Sequence, residues 1–160
     1  MHGYLYVLIR AGKIQPYTQE RFNLGKFLND VPVHSKDKSG QNINILIIQM
    51  LTWMQREQFG KVIDRVESIS VYARTYTKTP ETTRANIFIN MIVKMEAAQF
   101  HRSATELKTK GLYRKLRETP VKFGQNLSIE IIPYPVLWDE VLSMLRDERR
   151  ARTVRRSTTK

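Results

Sequence analysis

A chain of 160 residues, 41% hydrophobic and 26% charged, has the length of one domain and enough apolar material to bury a core. It contains no cysteine, which excludes disulfides, thiolate metal sites and a cysteine nucleophile, and no apolar run approaches the roughly 20 residues of a membrane-spanning helix. The outlier is a formal net charge of +12, concentrated toward the C-terminal half: residues 101–122 and residues 146–160 each carry seven cations against two acids. Such a field favours an anionic partner and says nothing of fold.

Tyr4 to Ala11 reads as the end of a helix stopped by Gly12 at a C′ position. It starts almost at Met1 with no cap before it, so the chain is expected to be the C-terminal part of a longer helical array; a short frayed first helix is the alternative. Tyr4–Ile9 is too short for a secretory signal core and lacks both a basic leader and a small-residue cleavage site. A second helix follows Pro16, with Phe22, Phe27 and Leu28 buried, and ends near Val31-Pro32; His34 to Gly40 is a polar connector.

From about Ile43 to Arg56, apolar residues cover nearly the whole circumference, which describes a helix buried on most sides. The β-branched content of Ile43–Ile48 also suits a strand, but length and the Met50/Met54 spacing favour helix. Gln58 to about Tyr76 is amphipathic: Phe59, Val62, Ile63, Val66 and Ile69 form one stripe, while Lys61, Asp64, Arg65, Glu67 and Ser68 face water. Thr79-Pro80-Glu81 restarts the chain as cap, first helical position and first-turn acid. A second all-round apolar helix holds Ile87, Phe88, Ile89, Met91, Ile92, Val93 and Met95, and a second amphipathic one runs from about Phe100 to Glu118.

Ser128 to Pro135, with two prolines and alternating apolar residues, reads as extended. A last helix from Val136 to about Arg146 presents Leu137, Val141, Leu142 and Leu145 with Trp138 nearby. Arg149 to Lys160 has Val154 as its only large hydrophobic and is expected to be disordered.

The order buried, amphipathic, buried, amphipathic carries a faint internal repeat. Met50-x3-Met54-x3-Gln58-Phe59 returns as Met91-x3-Met95-x3-Gln99-Phe100 at an offset of 41 residues, which also aligns Ile48 with Ile89, Val66 with Leu107 and Tyr72 with Tyr113. A period near 40 is that of a helical hairpin in solenoid proteins, where stacking a neighbour buries the face one hairpin leaves open. The expected fold is all-α: stacked antiparallel hairpins at about 42–78 and 82–118, closed by an extended segment plus capping helix at about 128–147. These form one domain over 1–147, followed by a basic tail at 148–160.

Ile129-Glu-Ile-Ile-Pro-Tyr134 followed by Leu137-Trp138, after two helical hairpins, resembles the C-terminal region of uncharacterised tetratricopeptide-like helical-repeat proteins of Bacteroidetes. The resemblance covers roughly Asn42 to Leu145. It implies a fold and a bacterial cytoplasmic setting, and brings no functional residues with it.

The residues themselves offer little chemistry. His2, His34 and His101 stand in no metal-binding spacing with one another or with an acid. His101 with Arg102, at the start of a helix, suits either a phosphate or ordinary packing. The glycines form no phosphate-binding or nucleophile motif. Asp64/Glu67, sharing a helix face, reads as a solvated surface rather than a catalytic dyad, and Asp139/Glu140 and Asp147/Glu148 show no more. No catalytic residue, metal ligand or cofactor is expected.

Lys110, Arg114 and Arg117 fall at i, i+4, i+7, one cationic stripe of the 100–118 helix, with Lys108 and Lys115 on a neighbouring stripe and Arg102 at its start. The tail adds Arg149, Arg150, Arg152, Arg155 and Arg156, with no aromatic residue interleaved for base stacking. Two functions follow as expectations. The first is a noncatalytic protein-interaction scaffold, its partner in the groove between helices or at the open N-terminal end. The alternative is a nucleic-acid-binding module using these cations, which predicts steep salt dependence.

Overall fold

The computed structural model describes Val7, Ile9, Gly12, Gly25, residues 41–76, residues 80–121, Glu130 and residues 132–146. Within them five α-helices are defined from end to end, with no strand: α1 Gln41–Gln55, α2 Phe59–Tyr76, α3 Thr83–Glu96, α4 Arg102–Glu118 and α5 Tyr134–Met144. The described part is all-α. The helix expected after Pro16, the connector at residues 34–40, most of the extended segment and the tail from Arg149 lie outside the described residues.

Consecutive helices pack against one another, and α5 returns to contact α1, α3 and α4. A single hydrophobic cluster runs through all of them. α1 contributes Ile47, Ile48, Met50, Leu51 and Met54, and α3 contributes Ile87, Phe88, Ile89, Met91, Ile92 and Met95. Both are buried around most of their circumference, as their continuous apolar sequences require. α5 places Tyr134, Leu137, Trp138 and Val141 in the same cluster. Phe88 stacks on Tyr134 at a centroid distance of 4.8 Å and meets the edge of Trp138 at 6.1 Å, so α3 and α5 share an aromatic centre. Val7, helical and fully buried, joins from the N-terminal side, where its carbonyl accepts from Gln55 Nε2 at 2.9 Å. Gly12 holds φ +69°, the left-handed conformation of a helix C′ residue.

The two hairpins turn in the same way. After α1, Glu57 takes φ 55°, the Gln58 N–H donates to the Trp53 carbonyl at 2.8 Å and the Glu57 N–H to Met54 at 2.9 Å. After α3, Gln99 takes φ 54°, the Phe100 N–H donates to Met95 at 3.2 Å and the Gln99 N–H to Glu96 at 2.7 Å. Both are Schellman ends, here without the usual glycine. The aligned pair Phe59 and Phe100 are in contact, ring centroids 4.9 Å apart.

Burial follows the 41-residue offset in α1 and α3, where Ile47, Ile48, Met50, Leu51 and Met54 correspond to Phe88, Ile89, Met91, Ile92 and Met95, all buried. It fails in α2 and α4: Val66 is buried, but Leu107 is 77% exposed. The connection after α3 spans residues 97–101 and that after α1 residues 56–58, so α4 starts later in its unit. The buried face of α2 (Val62, Val66, Ala73) is therefore matched in α4 by Thr105, Thr109 and Leu116.

Other expectations shift locally. Ile63 is exposed rather than part of the α2 stripe. Pro80 lies in a 3-10 turn, Pro80–Thr82, and α3 begins only at Thr83, so Pro80 is not its first helical residue. The helix expected from Phe100 begins at Arg102, because Phe100 itself has φ 59°. Tyr134 and Pro135 are not extended: α5 starts at Tyr134 and Pro135 sits in its first turn, where a missing N–H leaves no intrahelical bond unmade.

Candidate anion-binding groove

α4 carries the candidate site, and both its ends are held. At the N-terminus the Arg102 N–H donates to the Arg146 carbonyl at 3.0 Å, satisfying one of the donors a helix start leaves open. The Arg146 guanidinium in turn lies 5.9 Å from the centroid of Phe59. At the C-terminus the buried Arg84 side chain, from the first turn of α3, donates through Nη1 to the carbonyls of Leu116, at 2.5 Å, and Thr119. The same guanidinium grips the Glu130 carboxylate at two points, Nε to Oε2 at 2.5 Å and Nη2 to Oε1 at 2.9 Å. Glu130 Oε1 also accepts the Tyr134 N–H at 2.6 Å, which anchors the start of α5. One buried ion pair thus ties α3, the end of α4 and the start of α5. Chain pattern alone gave no sign of it, since its two partners lie 46 residues apart.

Between these anchors Lys110, Arg114 and Arg117 line one concavity of about 710 Å³, together with Gly111, Tyr113 and Glu118. All three cations are exposed and form no ion pair among the described residues. Tyr113 is half-buried: it packs against the hydrophobic core and also borders the concavity. Gly111 leaves the floor open, and a Cβ built there meets no atom within 4 Å.

The other candidate cations fare differently. Arg102 pairs with Glu106 along the helix, Nε to Oε1 at 3.1 Å. The Lys108 ammonium donates to the Ala97 carbonyl at 2.7 Å, closing the end of α3, where a cation is favoured. Lys115 is exposed and does not line the groove. Arg149, Arg150, Arg152, Arg155 and Arg156 lie outside the described residues. His101 is half-buried and pairs by backbone with Arg146. Among the described residues no group of three or more His, Asp or Glu is placed to hold a metal, and no helix is long and apolar enough to cross a membrane.

The structure therefore gathers the predicted i, i+4, i+7 stripe in one groove and leaves out Arg102, Lys108 and Lys115. It adds Tyr113, whose sequence signal was its place one residue before Arg114 and three after Lys110. No family model, no curated protein and no solved structure matches this chain.

Proposed function

We propose that this chain is a noncatalytic helical binding scaffold, of stacked tetratricopeptide-like hairpins, that takes an anionic macromolecule on the groove of α4. The observation that carries it is the convergence of Lys110, Arg114 and Arg117, none ion-paired among the described residues, on a single concavity. The groove gathers positive charge and an aromatic ring, groups that hold a ligand. The stacked-hairpin reading draws support from the two like turns and from the buried positions shared by α1 and α3. α5 is its cap, lying on α1 and α3 as well as α4. α5 contacts both α1 and α3, and Val7 lies against the end of α1. A cytoplasmic setting belongs to the same proposal.

The test is a polyanion titration in a salt series, using heparin and labelled nucleic acids. Replacing Lys110, Arg114 and Arg117 together by glutamine should weaken binding at least tenfold and flatten the salt dependence by roughly two log units per log unit of salt. Unchanged binding, with the fold intact by circular dichroism, would remove the groove from the function.

A further inference from the structure

Resting on that reading, we propose that the α4 groove is a single-strand nucleic-acid subsite in which Tyr113 stacks a base while Lys110, Arg114 and Arg117 hold the neighbouring phosphates. Three observations combine. The first is charge: three cations converge where, among the described lining residues, only Glu118 opposes them. The second is the aromatic ring. Tyr113 packs against the core and so is held in place, yet borders the same concavity as the cations. A positively charged groove with an aromatic platform is how proteins hold single strands without reading sequence, because every base has a stacking face.

The third is shape. A volume of about 710 Å³, half open to solvent, is on the scale of a nucleotide or two. A concavity of that size admits a splayed base, whereas a duplex keeps its bases stacked inside and offers only its outer phosphates. Gly111 contributes to this shape by leaving the floor bare between Lys110 and Arg114. Seven residues separate Lys110 from Arg117, about 10 Å along the helix at 1.5 Å per residue, so the cations span more than one phosphate of a strand.

The experiment uses the full chain and three labelled probes: a single-stranded 12-mer, its duplex, and a 12-mer with the same phosphates but abasic sugars. The single strand should bind about tenfold more tightly than either of the others at the same salt. Tyr113→Leu should lower single-strand affinity about tenfold with an unchanged salt slope, and Tyr113→Phe should keep it within twofold. Arg114→Gln should reduce the slope by roughly 0.7. The abasic comparison needs no variant, so it decides the matter even where Tyr113→Leu fails to fold. Equal affinity for all three probes, still lost in the triple glutamine variant, would leave an anion-binding groove and overturn base stacking. Tighter binding of a poly-glutamate peptide than of the single strand would assign the groove to a protein. No salt-sensitive binding of any probe would overturn the anion-binding proposal together with this one.

Discussion

Arg84 and Glu130 concentrate more structural consequence than any other pair in the described part of the chain. Their side chains are 9% and 6% exposed, and four of the five guanidinium N–H directions are used. The hydrogen bond to Glu130 raises the Arg84 pKa above its ordinary value, with burial opposing. Removing one partner of such a pair leaves the other charged and uncompensated, a loss of about 3–5 kcal/mol. Arg84→Ala should therefore destabilise the fold by that amount in urea unfolding. Arg84→Met combined with Glu130→Leu should lose less than the two single changes added together, since neither charge is then stranded. Strict additivity would mean the pair is not coupled. Beside it, burial pushes the Tyr134 phenol well above its ordinary pKa of 10.0, with Glu130 adding and Arg84 opposing. Above pH 10 the unfolded chain releases this proton and the folded chain keeps it. The native state then binds more protons, and stability falls as pH rises. Tyr134→Phe lacks that loss. Its stability relative to the parent should be level between pH 6 and 9 and rise in its favour above pH 10; parallel curves throughout would refute the assignment.

α4 breaks a local rule, and the break falls at the site. A glycine in a helix interior is about 1 kcal/mol worse than alanine, yet Gly111 stands mid-helix where a Cβ would meet nothing within 4 Å. Packing does not demand glycine there, and the position borders the groove. Gly111→Ala should raise stability by about 0.5–1 kcal/mol and weaken single-strand binding severalfold, measured by thermal melts and the same titration. A gain in stability with no loss of binding would mark Gly111 as neutral. The spans of α1, α2 and α4 were legible within a residue or two, because apolar periodicity is a local signal. The cationic stripe was legible for the same reason: residues at i, i+4 and i+7 share a helix face whatever the tertiary structure. What escaped were features set by distant chain. Pro135 read as a breaker although the first turn of a helix tolerates proline. Leu107 aligns with Val66 in sequence but not in burial, because the turn before α4 is longer than the turn before α2. Arg84 carries no local signal of its role, since Glu130 cannot be located from Arg84's neighbours.

At the scale of the molecule, the hydrophobic cluster is continuous from Val7 through α1 to α5 and Leu145. A stacked array can in principle unfold unit by unit, since each repeat touches only its neighbours. Here α5 joins α1 to α3 and α4, and that closure should make the hairpins unfold together. The two tryptophans allow the question to be asked directly. Trp53 is half-buried in α1, against the Arg65 guanidinium at 5.7 Å, and Trp138 is buried in α5. Fluorescence of single-tryptophan variants, Trp53→Phe reporting α5 and Trp138→Phe reporting α1, should each follow a urea transition coincident with the loss of helix in the same variant. Val7→Ala removes two methyl groups from a fully buried site, a loss of about 1.6 kcal/mol before any cavity contribution. In a closed cooperative unit that loss must move both reporters equally, although Val7 sits beside α1 through Gln55 and is remote in sequence from α5. A shift confined to the α1 reporter would show that the molecule unfolds as a solenoid does, from one end, with α5 holding only the second hairpin.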